Sequence, residues 1–120
     1  MNALNLGLRF LLELAALGAM GIWGWTLSSG PLRFVGVWAL PLAAAALWGI
    51  FAVPGDPSRS GKAPVPTSGV LRLALELVFF TGAAYLYYHL HYATFSVVFA
   101  ALVVVHYLFS HKRIRWLLKQ

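Results

Sequence analysis

The residues of this sequence whose types and spacing could do chemistry are two arginine–glutamate pairs, Arg9 with Glu13 in "LRFLLEL" and Arg72 with Glu76 in "LRLALEL". In each pair the charges are four positions apart, so a helix sets them on one face, one turn apart. On an exposed soluble helix such a pair contributes only about 0.3–0.5 kcal/mol. Here both lie in runs of leucine, alanine and phenylalanine. At the centre of a bilayer each such charge costs roughly 2.5–3.5 kcal/mol, so it should face protein or water and be paired. Two chemistries suit these groups. The arginines could bind an anion, or a glutamate could take up and release a proton during transport. Alternatively the charges close on one another and set helix register and topology, with no further role.

The elements that must hold these groups are apolar. The chain is 61% hydrophobic and 10% charged, whereas soluble domains carry about 25% charged residues. Punctuation by Gly, Pro and Ser marks off four runs, at 4–27, 34–53, 70–90 and 93–111, and runs of about 17–25 residues cross a bilayer as helices. "SSGPLR" ends the first and starts the second, a central loop occupies 54–69, "HLHYAT" leaves room only for a tight hairpin, and a basic tail covers 112–120. The first run has no basic residue ahead of it and no small-x-small cleavage site after it, so it reads as a retained span. The expected fold is all-α: an integral membrane four-helix bundle in one transmembrane domain, 1–120.

A shift of 63 residues lays Arg9 on Arg72 and Glu13 on Glu76, and a shift of 58 lays "LWGIF" on "VHYLF", so that Trp48 falls on His106. The chain therefore reads as two helical hairpins in a parallel repeat. At 1.5 Å per residue, Arg9 and Glu13 lie about 6–13 Å inside the first span, and Trp48 and His106 reach a similar depth. The expected site is a single layer of Arg9, Glu13, Trp48, Arg72, Glu76 and His106, cross-bridged Arg9 to Glu76 and Arg72 to Glu13.

Charge sets the orientation. Outside the spans, Arg59, Lys62, Lys112, Arg113, Arg115 and Lys119 fall on one side and Arg33 alone on the other, which places both termini in the cytosol. The implied partners are membrane lipids. The glycines Gly18, Gly21 and Gly24 let another helix approach the first, either within the chain or across a homodimer.

Other functions are excluded or unsupported. The basic residues form no polar face for nucleic acid, and without cysteine there is neither disulfide nor thiolate chemistry. His89 and His91 point to different faces, and His106 alone is not a metal site, so neither a metal nor any other cofactor is expected. There is no Ser-His-Asp set, no H-E-x-x-H and no phosphate loop, and an enzyme is not expected.

"LRFLLELAALGAMGIWGW", then "LWGIFAVP", then "RLALEL" before an apolar run, resemble the YrdB-like family of small bacterial four-span membrane proteins, a domain of unknown function. The resemblance covers nearly the whole chain. It implies a multi-pass protein of the bacterial inner (plasma) membrane with no established activity. Three functional readings follow: a small transporter or channel-like protein whose Arg/Glu layer handles an anion or protons, a structural or accessory membrane protein, and a lipid-active enzyme using Glu13 or Glu76 as base.

Overall fold

The computed structural model describes residues 2–59 and 61–120. The fold is all-α, with α1 Ala3–Thr26, α2 Leu32–Ile50, α3 Gly69–His89, α4 Ala93–Leu108 and α5 His111–Leu118. A two-residue parallel pairing, β1 Phe51–Ala52 with β2 Val65–Pro66, closes the central loop.

Local chemistry sets the ends of these helices. The Asn2 side chain accepts the Asn5 amide at 2.8 Å and caps α1, and Ser68 accepts Leu71 N–H at 3.3 Å and caps α3. Such caps satisfy amides that the first helical turn leaves free. Pro31 precedes α2, where its fixed φ suits a helix start, and α2 continues through Pro41. Between α3 and α4, His91 takes a left-handed φ of 71° and Tyr92 N–H donates back to Tyr87 at 2.8 Å.

Two expected boundaries change. The second run leaves the helix at Phe51, because residues 51–52 pair with 65–66. The fourth helix stops at Leu108 rather than 111, and the segment read as a basic tail from 112 is the helix α5, bent 69° from α4. Its sequence explains the turn back: Arg113 and Leu117, one turn apart, are buried, while Lys112, Arg115 and Lys119 are exposed. At Gly69 an added Cβ would overlap the backbone of Leu117, so the start of α3 and the end of α5 touch main chain to main chain.

The core is formed by α1, α3 and α4, with Leu12, Ala16 and Ala19 against Phe80, Ala83, Leu86, Tyr87 and Phe99. Tyr87 donates its hydroxyl to the Ala15 carbonyl. α2 lies against α1, where Gly24 and Gly36 meet backbone to backbone and leave no room for a Cβ on either. Gly21 faces Val37 and Pro41, and Gly18 faces Tyr87, so Gly18, Gly21 and Gly24 are used inside the chain.

Three helices, α1, α2 and α3, are long and apolar enough to cross a membrane, and α4 with α5 makes a fourth if the bent pair counts as one span. α2 buries no residue, and Leu32, Phe34, Val35, Trp38 and Leu42 are all exposed.

Candidate functional site

Glu76 is the centre of the site. It projects from α3 with no accessible surface and receives donors from four elements. Arg9 of α1 approaches fork to fork, Nη1 to Oε1 at 3.3 Å and Nη2 to Oε2 at 2.9 Å. Arg113 of α5 makes a second fork at 2.9 and 2.7 Å. Arg72, one turn earlier on α3, donates Nε to Oε2 at 2.8 Å, and the Tyr107 hydroxyl of α4 donates to Oε1 at 2.8 Å. Each carboxylate oxygen therefore has three donors. Bidentate, charge-assisted bonds of this kind are the strong class.

Each arginine also has a second task. Arg72 Nη1 donates to the carbonyls of Trp48 and, at 2.6 Å, Phe51. These lie at the C-terminal end of α2, where carbonyls lack helical partners and a cation is favoured. Arg59 adds a bond to the Gly49 carbonyl at 3.1 Å. Arg113 also clamps Asp56 of the loop, at 2.8 and 2.7 Å. Burial works against ionised Asp56, but Arg113 and the Ser58 amide hold its carboxyl below the ordinary 3.8. Arg9 reaches Glu13 through Nε at 3.2 Å.

Trp48 lies between two of the guanidiniums, its ring 5.1 Å from the Arg9 carbon and 4.5 Å from that of Arg72. Cations over a desolvated indole face are held by its quadrupole. His106 continues the network: Nε2 meets Arg9 Nη1 at 3.3 Å, and Nδ1 meets Asn5 Oδ1 at 2.8 Å. Arginine can only donate, so Nε2 is the acceptor and Nδ1 carries the proton toward Asn5. Asn5 donates to Ser110 at 2.8 Å, and Ser110 returns its hydroxyl to the His106 carbonyl at 2.7 Å.

The six residues expected to form one layer are thus connected, though not as two symmetric cross-bridges. Arg9–Glu76 is formed. Arg72–Glu13 is not, because Arg72 bonds within its own helix and to the end of α2, leaving Glu13 at the edge with a side chain 25% exposed. Sequence reasoning missed Arg113, Asp56, Tyr107, Asn5 and Ser110. A signal existed for Asn5, a polar residue one turn before Arg9 in an apolar run.

The chain has three acids, and all three, Glu13, Asp56 and Glu76, pair with Arg9, Arg72 and Arg113. The cluster is therefore charge-balanced. Of the cluster's residues, Tyr107 lines a groove between α3 and α4 and Asn5 one beside α1, and no arginine or acid of the cluster lines either. Among the described residues, no three His, Asp or Glu side chains converge as a metal site requires.

Comparison with known proteins places the chain in a family. The chain is 42% identical over 120 residues to "Uncharacterized protein YrdB" of Bacillus subtilis (strain 168), covering 100% of this chain and 98% of that protein. No solved structure matches. A family described as "Protein of unknown function (DUF2568)" matches residues 7–104, a stretch that holds Arg9, Glu13, Asp56, Arg72 and Glu76. The chain belongs to this DUF2568 family of YrdB-like proteins.

Proposed function

We propose that this chain is an integral membrane protein of structural or accessory type, in which the Arg/Glu cluster is a closed internal tie holding all five helices and the central loop together at the cytosolic end. The observation that carries this reading is Glu76: fully buried, with three donors on each oxygen, it has no acceptor capacity left for a ligand or a transported proton.

Membrane insertion is supported by α2, which fully buries no residue and exposes apolar residues along its length. Soluble monomers rarely expose contiguous apolar patches beyond a few hundred Å². With every acid inside the cluster, Arg59, Lys62, Lys112, Arg115 and Lys119 stand uncompensated toward one end, which is the cytosolic one by the positive-inside rule. The hairpins α1–α2 and α3–α4 are read as a parallel repeat, since both R-x-x-x-E pairs close within their own helices. Only the second glutamate became the hub. The chain lacks cysteine, so single cysteines report topology cleanly. Ser29→Cys should react with an impermeant maleimide in intact cells and Lys119→Cys only after permeabilisation; the reverse pattern, or recovery of the protein in the soluble fraction, sinks the assignment.

A transport reading rests on Glu13 alone, the acid held by one arginine and still 25% exposed. Proton or anion flux in liposomes that Glu13→Gln abolishes without changing the melting temperature would establish it in place of the tie.

A further inference from the structure

An open groove of about 440 Å³ runs along the outside of α3 and α4, lined by Leu77, Phe80, Ala100, Val104 and Leu108 and closed at its lower end by Ile114 of α5. That volume lies within the roughly 300–1,000 Å³ of sites that take small ligands. Its wall is almost wholly apolar, because the hydroxyl of lining Tyr107 turns inward to Glu76.

Length and position decide what fits. From Ala100 to Leu108 the groove extends about 12 Å at 1.5 Å per residue, close to the ~15 Å depth of one leaflet's hydrocarbon, half of a ~30 Å core. It starts at the α5 end and stops at Ala100, near the middle of α4, the reach expected of an inner-leaflet acyl chain beside a spanning helix. At its mouth α5 turns 69° from α4, which brings it nearer to the membrane plane when α4 is taken along the normal. α5 exposes Lys112 and Arg115, Lys119 follows at its C-terminal cap and is exposed too, and the helix contains no acid. The three acids are all paired with arginines of the cluster, and Arg113 of α5 points the other way into Glu76 and Asp56.

We propose that this groove and the exposed cations of α5 form a binding site for an anionic phospholipid, one acyl chain lying between α3 and α4 and the phosphate headgroup meeting Arg115, Lys112 and Lys119. The inference rests on the membrane reading above and names the lipid class the cytosolic end would recognise. The ion tie contributes by fixing α5 at the mouth: Arg113 anchors the helix whose other face reads the headgroup.

The test is native mass spectrometry of the detergent-purified full chain, titrated with phosphatidylglycerol and phosphatidylcholine of identical acyl chains. The expected result is a preference for phosphatidylglycerol of about tenfold or more, lost in Lys112→Gln/Arg115→Gln/Lys119→Gln, whose positions are exposed and free to change. Ala100→Phe, which fills the groove, should weaken both lipids while leaving the cations in place. Equal binding of the two lipids by the natural chain, or an unchanged preference in the triple variant, overturns the site and leaves the membrane reading standing. Tight phosphatidylglycerol binding that Ala100→Phe does not weaken also overturns it, since the charge alone then suffices. If the protein purifies from the soluble fraction without detergent, both readings fall together.

Discussion

Arg9 and Glu76, sixty-seven residues apart in sequence, face each other fork to fork between α1 and α3 at 3.3 and 2.9 Å. Because Glu76 serves Arg72 and Arg113 at the same time, this is not an exchangeable pair. Swapping the two residues would put a guanidinium at 76, against two others. The double variant Arg9→Glu/Glu76→Arg should therefore be as damaged in thermal unfolding as either single reversal, and rescue by the swap would show an isolated bridge instead of a hub.

Glu76→Gln removes the charge on which three guanidiniums converge and leaves them buried among themselves. Breaking a buried ion pair in this one-sided way costs about 3–5 kcal/mol. Tryptophan fluorescence during unfolding in detergent reads the loss directly, because Trp48 lies over Arg9 and Arg72.

Arg113→Ala should release α5 and the loop together, since that one side chain holds Asp56 and Glu76. Limited trypsin digestion checks it: the variant should be cut after Arg59, Lys62 and Lys112 well before the natural chain. Equal cleavage rates would mean that α5 is held by Leu117 and Gly69 alone.

The same latch sets a pH dependence. The folded Asp56 carboxyl lies below its ordinary 3.8, so its pairing with Arg113 stabilises fully above that value and is lost as pH falls below it. Proteolytic protection of α5 should be flat from about pH 5 to 8 and decline toward pH 3. Asp56→Asn should be less protected at neutral pH and should remove the Asp56 part of the decline.

Glycine substitutions separate close approach from free surface. Gly24→Ala and Gly69→Ala place a Cβ on the backbone of Gly36 and of Leu117, and each should lower stability by about 1–3 kcal/mol. Gly82→Ala, in open space inside α3, should be neutral or raise stability by about 0.5–1 kcal/mol through helix propensity. A melting series across the three variants checks both signs.

Half of the cluster was legible in the sequence, for a physical reason. A charge in an apolar run has few places to go, so Arg9, Glu13, Arg72 and Glu76 announced a buried layer, and depth along the helices brought Trp48 and His106 to it. Arg113 and Asp56 gave no such signal, because they sit in segments rich in polar residues where a charge is free to face water. What recruits them is the bend after Leu108, a tertiary feature that no local period reports. The symmetric second bridge, Arg72 to Glu13, failed for a related reason: the free carbonyls at the end of α2 compete for Arg72, and spacing along one helix says nothing of where another helix ends.

The claim that the cluster is a closed tie is tested most directly by flux in proteoliposomes, with proton and anion gradients imposed across membranes holding the natural chain or Glu76→Gln. The tie predicts flux no greater than in protein-free liposomes for the natural chain, together with a lowered melting temperature for Glu76→Gln. Gradient-driven flux by the natural chain that disappears in Glu76→Gln while the melting temperature is unchanged would contradict it.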